Sequence, residues 1–255
     1  MDPATLIGVI GALVFIIVAN VMEGGNPMSL LLIPPILLVV GGTIMITLAG
    51  GTLADGKAAV QGMVKAFTGK APDAAAAVPT LVALSDKARR EGLLALEDAL
   101  GDIDDPFLTK GLTLAIDGTD PDEVRDILEA QIQATKSRTK QAAKFFNSAG
   151  AYAPTIGIVG TVMGLVHVLE NLAEPEKLGH LIAGAFVATL WGVMSANVFF
   201  LPVGARINRL GELEIIRMEV VVEGVAGLQA GSNPRVVAQR LQSLLPDDER
   251  EPEAA

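Results

Sequence analysis

Four apolar stretches, Thr5–Met22, Leu30–Leu48, Ala149–Leu169 and Leu181–Val203, contain no Asp, Glu, Lys or Arg. As helices, each is long enough to cross a hydrocarbon core of about 30 Å. The chain therefore reads as an all-α integral membrane protein with four transmembrane helices. No Lys or Arg precedes the first stretch, no small-residue cleavage site stands near Asn20 to Glu23, and a second span follows closely. The first stretch is accordingly expected to be mature structure rather than a secretory signal.

Basic residues sort between the connections. Twelve lie in the long segment after the second span, six follow the fourth, and only Lys177 falls in a short loop. By the positive-inside rule the long segment and the tail are cytoplasmic, so both termini are inside. Lys136, Arg138, Lys140 and Lys144 before the third span, and Arg206 and Arg209 after the fourth, stand where cytoplasmic anchors belong.

The net charge of -10 and the lack of a basic run interleaved with aromatics argue against nucleic acid as a partner. With no Cys there is no disulfide, thiolate chemistry or cysteine-ligated metal. The two His are far apart and beside no carboxylate cluster, so no metal site is expected. There is no Walker loop, GxSxG, HExxH or triad-like arrangement, and no enzyme is expected.

The organisation falls into four parts: spans one and two (1–50), a cytoplasmic helical region (51–148), spans three and four (149–203), and cytoplasmic C-terminal helices with a tail (204–255). In the second part Leu53 to Thr68 is amphipathic, with Val60, Met63, Val64 and Phe67 on its apolar side, and could lie on the membrane surface. Thr80 to Leu100 reads as a helix with a weak point at Gly92, and Pro106 to Ile116 as another. Thr119 to Glu123 is a strong helix start. From there no Pro or Gly interrupts the chain before Gly150, so one helix of roughly 70 Å, at about 1.5 Å per residue, is expected to run into the third span. Ile207 to Gly231 and Pro234 to Leu245 read as helices, and Pro246 to Ala255 as a disordered acidic tail.

The last two spans carry small and hydroxyl residues at helical spacing. Gly150, Pro154, Gly157, Thr161, Gly164, His167 and Asn171 share one side of the third; Ala185, Ala188, Thr189, Gly192, Ser195 and Ala196 do the same in the fourth. Such faces normally meet another protein surface or a wet passage. A carrier of ions usually also needs a titratable or liganding group near mid-bilayer, and these two stretches have no carboxylate of their own. A partner chain is expected to bring it.

Each singled-out residue has an ordinary reading too. Thr161 and Thr189 could ligate a dehydrated cation or orient water, whereas a membrane Thr by default bonds its own backbone carbonyl. Pro154 and Pro202 could be hinges coupling the pore to the cytoplasmic helices, or ordinary kinks. His167 could relay protons or merely reach interfacial water, and Trp191 reads as packing or lipid contact. Arg90 and Glu97, two turns apart in a dense charged band, could present a paired dipole to a partner, though most such bands are solvated faces.

The segments APTIGIVGTVMGLVHVLENL (Ala153–Leu172), AFVATLWGVMSANVFFLP (Ala185–Pro202) and KARREGLLALED (Lys87–Asp98) together resemble the A subunit of the bacterial flagellar stator, the MotA/PomA family. The likeness extends to span number, the two-plus-two layout and loop lengths. ExbB and TolQ energisers share the paired last spans but have a single span before their cytoplasmic region; an energiser of that kind is the alternative.

The resemblance implies a homo-oligomeric ring, a pentamer of A subunits around a dimer of the B subunit (MotB/PomB), whose transmembrane Asp binds the ion. It further implies an inner-membrane location and torque delivered to the rotor protein FliG. Carried over by position, Arg89, Arg90 and Glu97 engage the rotor, Pro154 and Pro202 serve conformational coupling, and Thr161 and Thr189 line the ion route. No cofactor is implied, only a transported cation, H+ or Na+. Thr161 matches sodium-driven members, whereas FVATLWG and the VHVL segment with His167 match proton-driven ones, and protons are the reading adopted.

Overall fold

The computed structural model describes residues 3–246, so the expected acidic tail lies outside the described residues apart from Pro246. Among them there is helix and no strand. The helices are α1 (Ala4–Met22), α2 (Ile33–Ala49), α3 (Leu53–Thr68), α4 (Ala77–Glu91), α5 (Pro106–Ile116), α6 (Pro121–Glu170), α7 (Pro175–Gln229) and α8 (Pro234–Leu244). Three of them, α1, α6 and α7, are long and apolar enough to cross a membrane, while α2 is a shorter apolar helix. The second stretch does not become α-helical at Leu30 as expected. A 3-10 turn, Pro27–Leu30, comes first, and Pro34 and Pro35 then occupy the first turn of α2, where absent N–H groups cost nothing.

The chain divides into two compact units, residues 1–70 with 139–208, and residues 71–138 with those from Arg209 onward. In the first, α3, α6 and α7 enclose a small core of Ala59, Ala66, Ala142, Ala143, Phe146, Ala149, Ala153, Ala196, Phe200, Val203 and Ile207. So many alanines let the helix backbones approach closely. Helix α1 buries none of its residues, as a helix facing lipid or neighbouring subunits would.

Helix α3 opens with a reciprocal capping box: Asp55 N–H donates to the Thr52 hydroxyl, and the Asp55 carboxylate accepts from the Thr52 N–H at 2.8 Å. Those two Thr52 donors, backbone first and hydroxyl second, hold the Asp55 carboxyl below its ordinary range. The apolar side expected for α3 is split. Met63 and Phe67 pack against the core, whereas Val60 and Val64 are exposed, because buried Ala59 and Ala66 set the inward face.

The second unit has a larger core, with Leu81, Leu96, Leu112, Leu128, Val220, Val221, Val225 and Leu241 fully buried. Burying each such side chain is worth about 1.5–3 kcal/mol. Here the expected Thr80–Leu100 helix is corrected. Helix α4 ends at Glu91, Gly92 turns the chain at φ +89°, and Leu93–Asp102 continues as 3-10 helix. A positive φ is open to Gly and strained for other residues, so Gly92 is a break rather than a soft point. Helix α6 runs fifty residues through Pro154, as the sequence suggested, whereas the helix expected at Ile207 to Gly231 is the continuation of the fourth span, one helix α7 to Gln229.

Candidate functional site

In the first unit the glycine side of α6 lies against α7. A Cβ built on Gly157 would sit 3.0 Å from the Ala188 carbonyl oxygen and 3.1 Å from the Gly192 Cα. On Gly164 it would meet Ala185 at 2.6 Å, and on Gly160 it would meet Ala188 at 2.7 Å and Leu38 of α2 at 3.0 Å. The face expected to meet a partner or a passage is thus taken up largely by the chain's own neighbouring span. Glycine permits this contact, and nothing larger would.

Within that contact the two threonines come together. The Thr161 hydroxyl lies 3.0 Å from the Ala185 carbonyl and 3.2 Å from that of Gly157, and it is hydrogen-bonded to the Thr189 hydroxyl. One hydroxyl has one proton. If Thr161 gives its proton to a carbonyl, Thr189 must donate to Thr161, forming a short donor chain from one helix to the other. Both residues are half-buried, and their remaining lone pairs offer neutral oxygen ligands without a charge. A bond to the residue's own helix and the pairing with Thr189 therefore coexist at Thr161.

Pro154 lies in the same contact, its Cα 3.3 Å from a Cβ built on Gly192. It cannot donate to the Gly150 carbonyl, and a Cβ on Gly150 would be 2.5 Å from Leu201, the neighbour of Pro202. Before Pro202 helix α7 widens into a π turn, Ser195–Phe200, where the Leu201 N–H reaches back to the Ala196 carbonyl. The Asn197 amide supplies a donor to the Val193 carbonyl at 2.9 Å, and the Ser195 hydroxyl one to Gly192 at 3.3 Å. The two prolines thus differ: helix α6 continues through one, and the other follows a change in helical pitch.

His167 is exposed, with Nδ1 3.4 Å from a Glu170 oxygen. Trp191, expected to do no more than pack or touch lipid, instead donates its indole N–H to the Leu30 carbonyl at 2.7 Å. Pro34 and Pro35, which mark a new helix start just after Leu30, were the available signal.

The charged residues of the second unit are arranged otherwise than expected. Arg89 and Arg90 are in the last turn of α4, and Glu97 is in the 3-10 segment beyond Gly92. Arg90 and Glu97 therefore do not share one helical face. Arg90 pairs instead with Asp86 at 2.8 Å on the surface. Between them Leu94 is 73% exposed while Leu96 is fully buried. Elsewhere in this unit Arg217 bonds Glu214 at 2.7 Å and pairs with Asp105, which also caps α5 through the Phe107 and Leu108 N–H groups. The Glu214 hydrogen bond, aided by the Asp105 charge and opposed by burial, holds the guanidinium above its usual range.

Apolar helices closed on one another by glycine, with a hydroxyl pair between them and three helices long and apolar enough to cross a membrane, define the class of an all-helical protein of membrane type. The sequence pattern of the MotA/TolQ/ExbB proton channel family matches residues 99–220. Motility protein A of Bacillus subtilis (strain 168) is 36% identical, covering 98% of this chain and 93% of that protein. Chemotaxis protein PomA of Vibrio alginolyticus is 35% identical, covering 98% of both. Among solved structures, MotAB of C. jejuni matches with a TM-score of 0.93 at 29% identity, over 100% of this chain and 99% of that one. The flagellar MotAB stator complex of Bacillus subtilis matches at 0.88 and 34% identity, over 96% and 97%.

The chain belongs to the MotA/TolQ/ExbB proton channel family, in its motility protein A branch. Members are ion-channel components of the inner membrane and not enzymes.

Proposed function

We propose that this chain is the A subunit of a flagellar stator, building with a B subunit a transmembrane channel that couples cation influx to torque on the rotor. The likeness to motility proteins along the whole chain supports this reading. The observation that carries the ion route is the hydroxyl pair Thr161–Thr189 bridging the third and fourth spans. Hydroxyl oxygens can coordinate or relay a cation but cannot neutralise it, so an acidic side chain, the transmembrane Asp of MotB/PomB, completes the site from the partner.

The four apolar helical stretches then all cross the membrane, with both termini cytoplasmic and a pentamer of this chain around the B dimer. Arg89, Arg90 and Glu97 face the rotor protein FliG. Pro154 and Pro202 serve coupling between ion passage and the cytoplasmic helices. The cation is H+, with Na+ the other candidate on account of Thr161. Two apolar helices ahead of the cytoplasmic region favour a stator over an ExbB/TolQ-like energiser.

The test is complementation. In a motile host lacking its own stator, this chain co-expressed with its B subunit restores swimming. Thr189→Leu abolishes ion flux while the complex still reaches the membrane. Unchanged flux in that variant would make the chain a scaffold. Swimming speed measured against external sodium at fixed pH identifies the ion, a flat response excluding sodium.

A further inference from the structure

Trp191 carries a hydrogen bond that neither lipid contact nor packing requires. Its indole N–H reaches the Leu30 carbonyl at 2.7 Å, across 161 positions of sequence. Leu30 closes the 3-10 turn, and the non-helical Leu31 and Leu32 separate it from α2, so that helix gives its carbonyl no donor. An unmatched carbonyl in an apolar setting is costly, and the indole removes the cost.

The same bond lies on the far side of α7 from the hydroxyl pair. Residues two apart on a helix point about 200° from one another at about 100° per residue, so Thr189 and Trp191 grip the helix from opposite sides. On one side Thr189 and Gly192 meet Thr161 and Gly157 of α6. On the other Trp191 is tied to the turn ahead of α2. A rotation of α7 about its own axis that carries Thr189 away from Thr161 must also stretch the indole bond.

The π turn adds direction. It starts at Ser195, four residues beyond Trp191, and a wide turn is where a helix changes course most cheaply. The tether therefore holds the segment bearing Thr189 and leaves the segment beyond the π turn outside its grip.

We propose that Trp191 is a positioning residue for the ion site, fixing the rotational setting of the fourth span and with it the aim of the Thr189 hydroxyl. This rests on the reading of Thr189 as an ion-route residue. Trp191 itself touches no ion.

The experiment uses the full complex with its B subunit and measures the half-saturating concentration of the coupling cation for swimming speed, alongside the amount of complex in the membrane. Trp191→Phe keeps an aromatic ring and removes the donor. It raises the half-saturating concentration about threefold to tenfold, the size expected for one interhelical hydrogen bond in a membrane. In Trp191→Phe the amount of complex and the speed at saturating cation match those of the unaltered chain, while the half-saturating concentration is raised.

A loss of complex from the membrane with the half-saturating concentration unchanged would reduce Trp191 to a carbonyl partner and overturn the proposal. So would an unchanged value in Trp191→Phe while Thr189→Val shifts it, an outcome that leaves the ion-site reading standing. If Thr189→Val also shifts nothing, the ion-site reading itself fails and takes the proposal with it.

Discussion

Gly157 and Gly192 face each other with no room for a methyl group on either: a Cβ on the first would lie 3.1 Å from the Cα of the second, and the reverse distance is 3.0 Å. A clash with backbone cannot be relieved by turning a side chain. Gly192→Ala is therefore expected to push α6 and α7 apart, costing about 1–3 kcal/mol, and to separate Thr161 from Thr189. Gly8→Ala is the control, since nothing lies within 4 Å of a Cβ there. Thermal unfolding of the purified complex and swimming speed, measured on both variants, check the contrast; equal behaviour would mean that the glycine contact is not tight in the working protein.

Asp105 serves two elements at once, capping α5 and pairing with Arg217 of α7. Arg217→Met leaves both Asp105 and Glu214 without their cation at a site where all three side chains are mostly buried. The loss of these charge-assisted bonds is expected to cost about 1.5–3 kcal/mol. Asp105→Asn retains an oxygen for the cap and loses the ion pair, so it should be milder than Asp105→Ala, which loses both. Thermal unfolding of the three variants gives the order, and a milder effect for Ala than for Asn would contradict the shared role.

Much of this arrangement was legible in the sequence because helices announce themselves by what is missing. No Pro or Gly stands between Glu123 and Gly150, and the unbroken α6 follows. The glycine period at 150, 157 and 164 showed a face built for close approach but not what approaches it. That answer depends on the register of two helices more than twenty residues apart in sequence, which local periodicity does not encode. Gly92 was ambiguous for a different reason. A Gly within an apolar, charged pattern can be helical or can sit at φ +89°, and tertiary burial of Leu96 with exposure of Leu94 decides the matter. Trp191 escaped notice because its partner is a backbone carbonyl left without a helical donor by a break between helices far away in the chain.

Among the described residues Arg90 pairs with Asp86 alone, on the surface, with 73% of its side chain exposed. Such a pair contributes roughly 0–1 kcal/mol, so Arg90→Glu should leave folding and assembly unchanged. Swimming is expected to fall sharply, and a reversed charge on the rotor should partly restore it. Failure of every such pairing would remove Arg90 from the rotor contact. Gly92→Ala offers an independent check, because it strains the turn that sets Glu97 relative to Arg90 without altering any charge. It should weaken motility without responding to charge changes on the rotor.

The two prolines converge on one contact. Pro154 leaves the Gly150 carbonyl without its helical donor, and Gly150 packs against Leu201, which lies between the π turn and Pro202. Pro154→Ala restores the donor and tightens α6 at that point; Pro202→Ala removes the ring that makes regular α pitch unfavourable within the π turn, at the Val198 carbonyl. Each is expected to leave the amount of assembled complex unchanged and to reduce torque. Because both act through Gly150 and Leu201, the double variant should lose less than the product of the single losses, the sign of a shared element. Torque on tethered cells, with complex quantified in the same membranes, measures this. Losses that multiply independently would mean that the prolines act apart, and loss of assembly in either single variant would make that proline a structural kink.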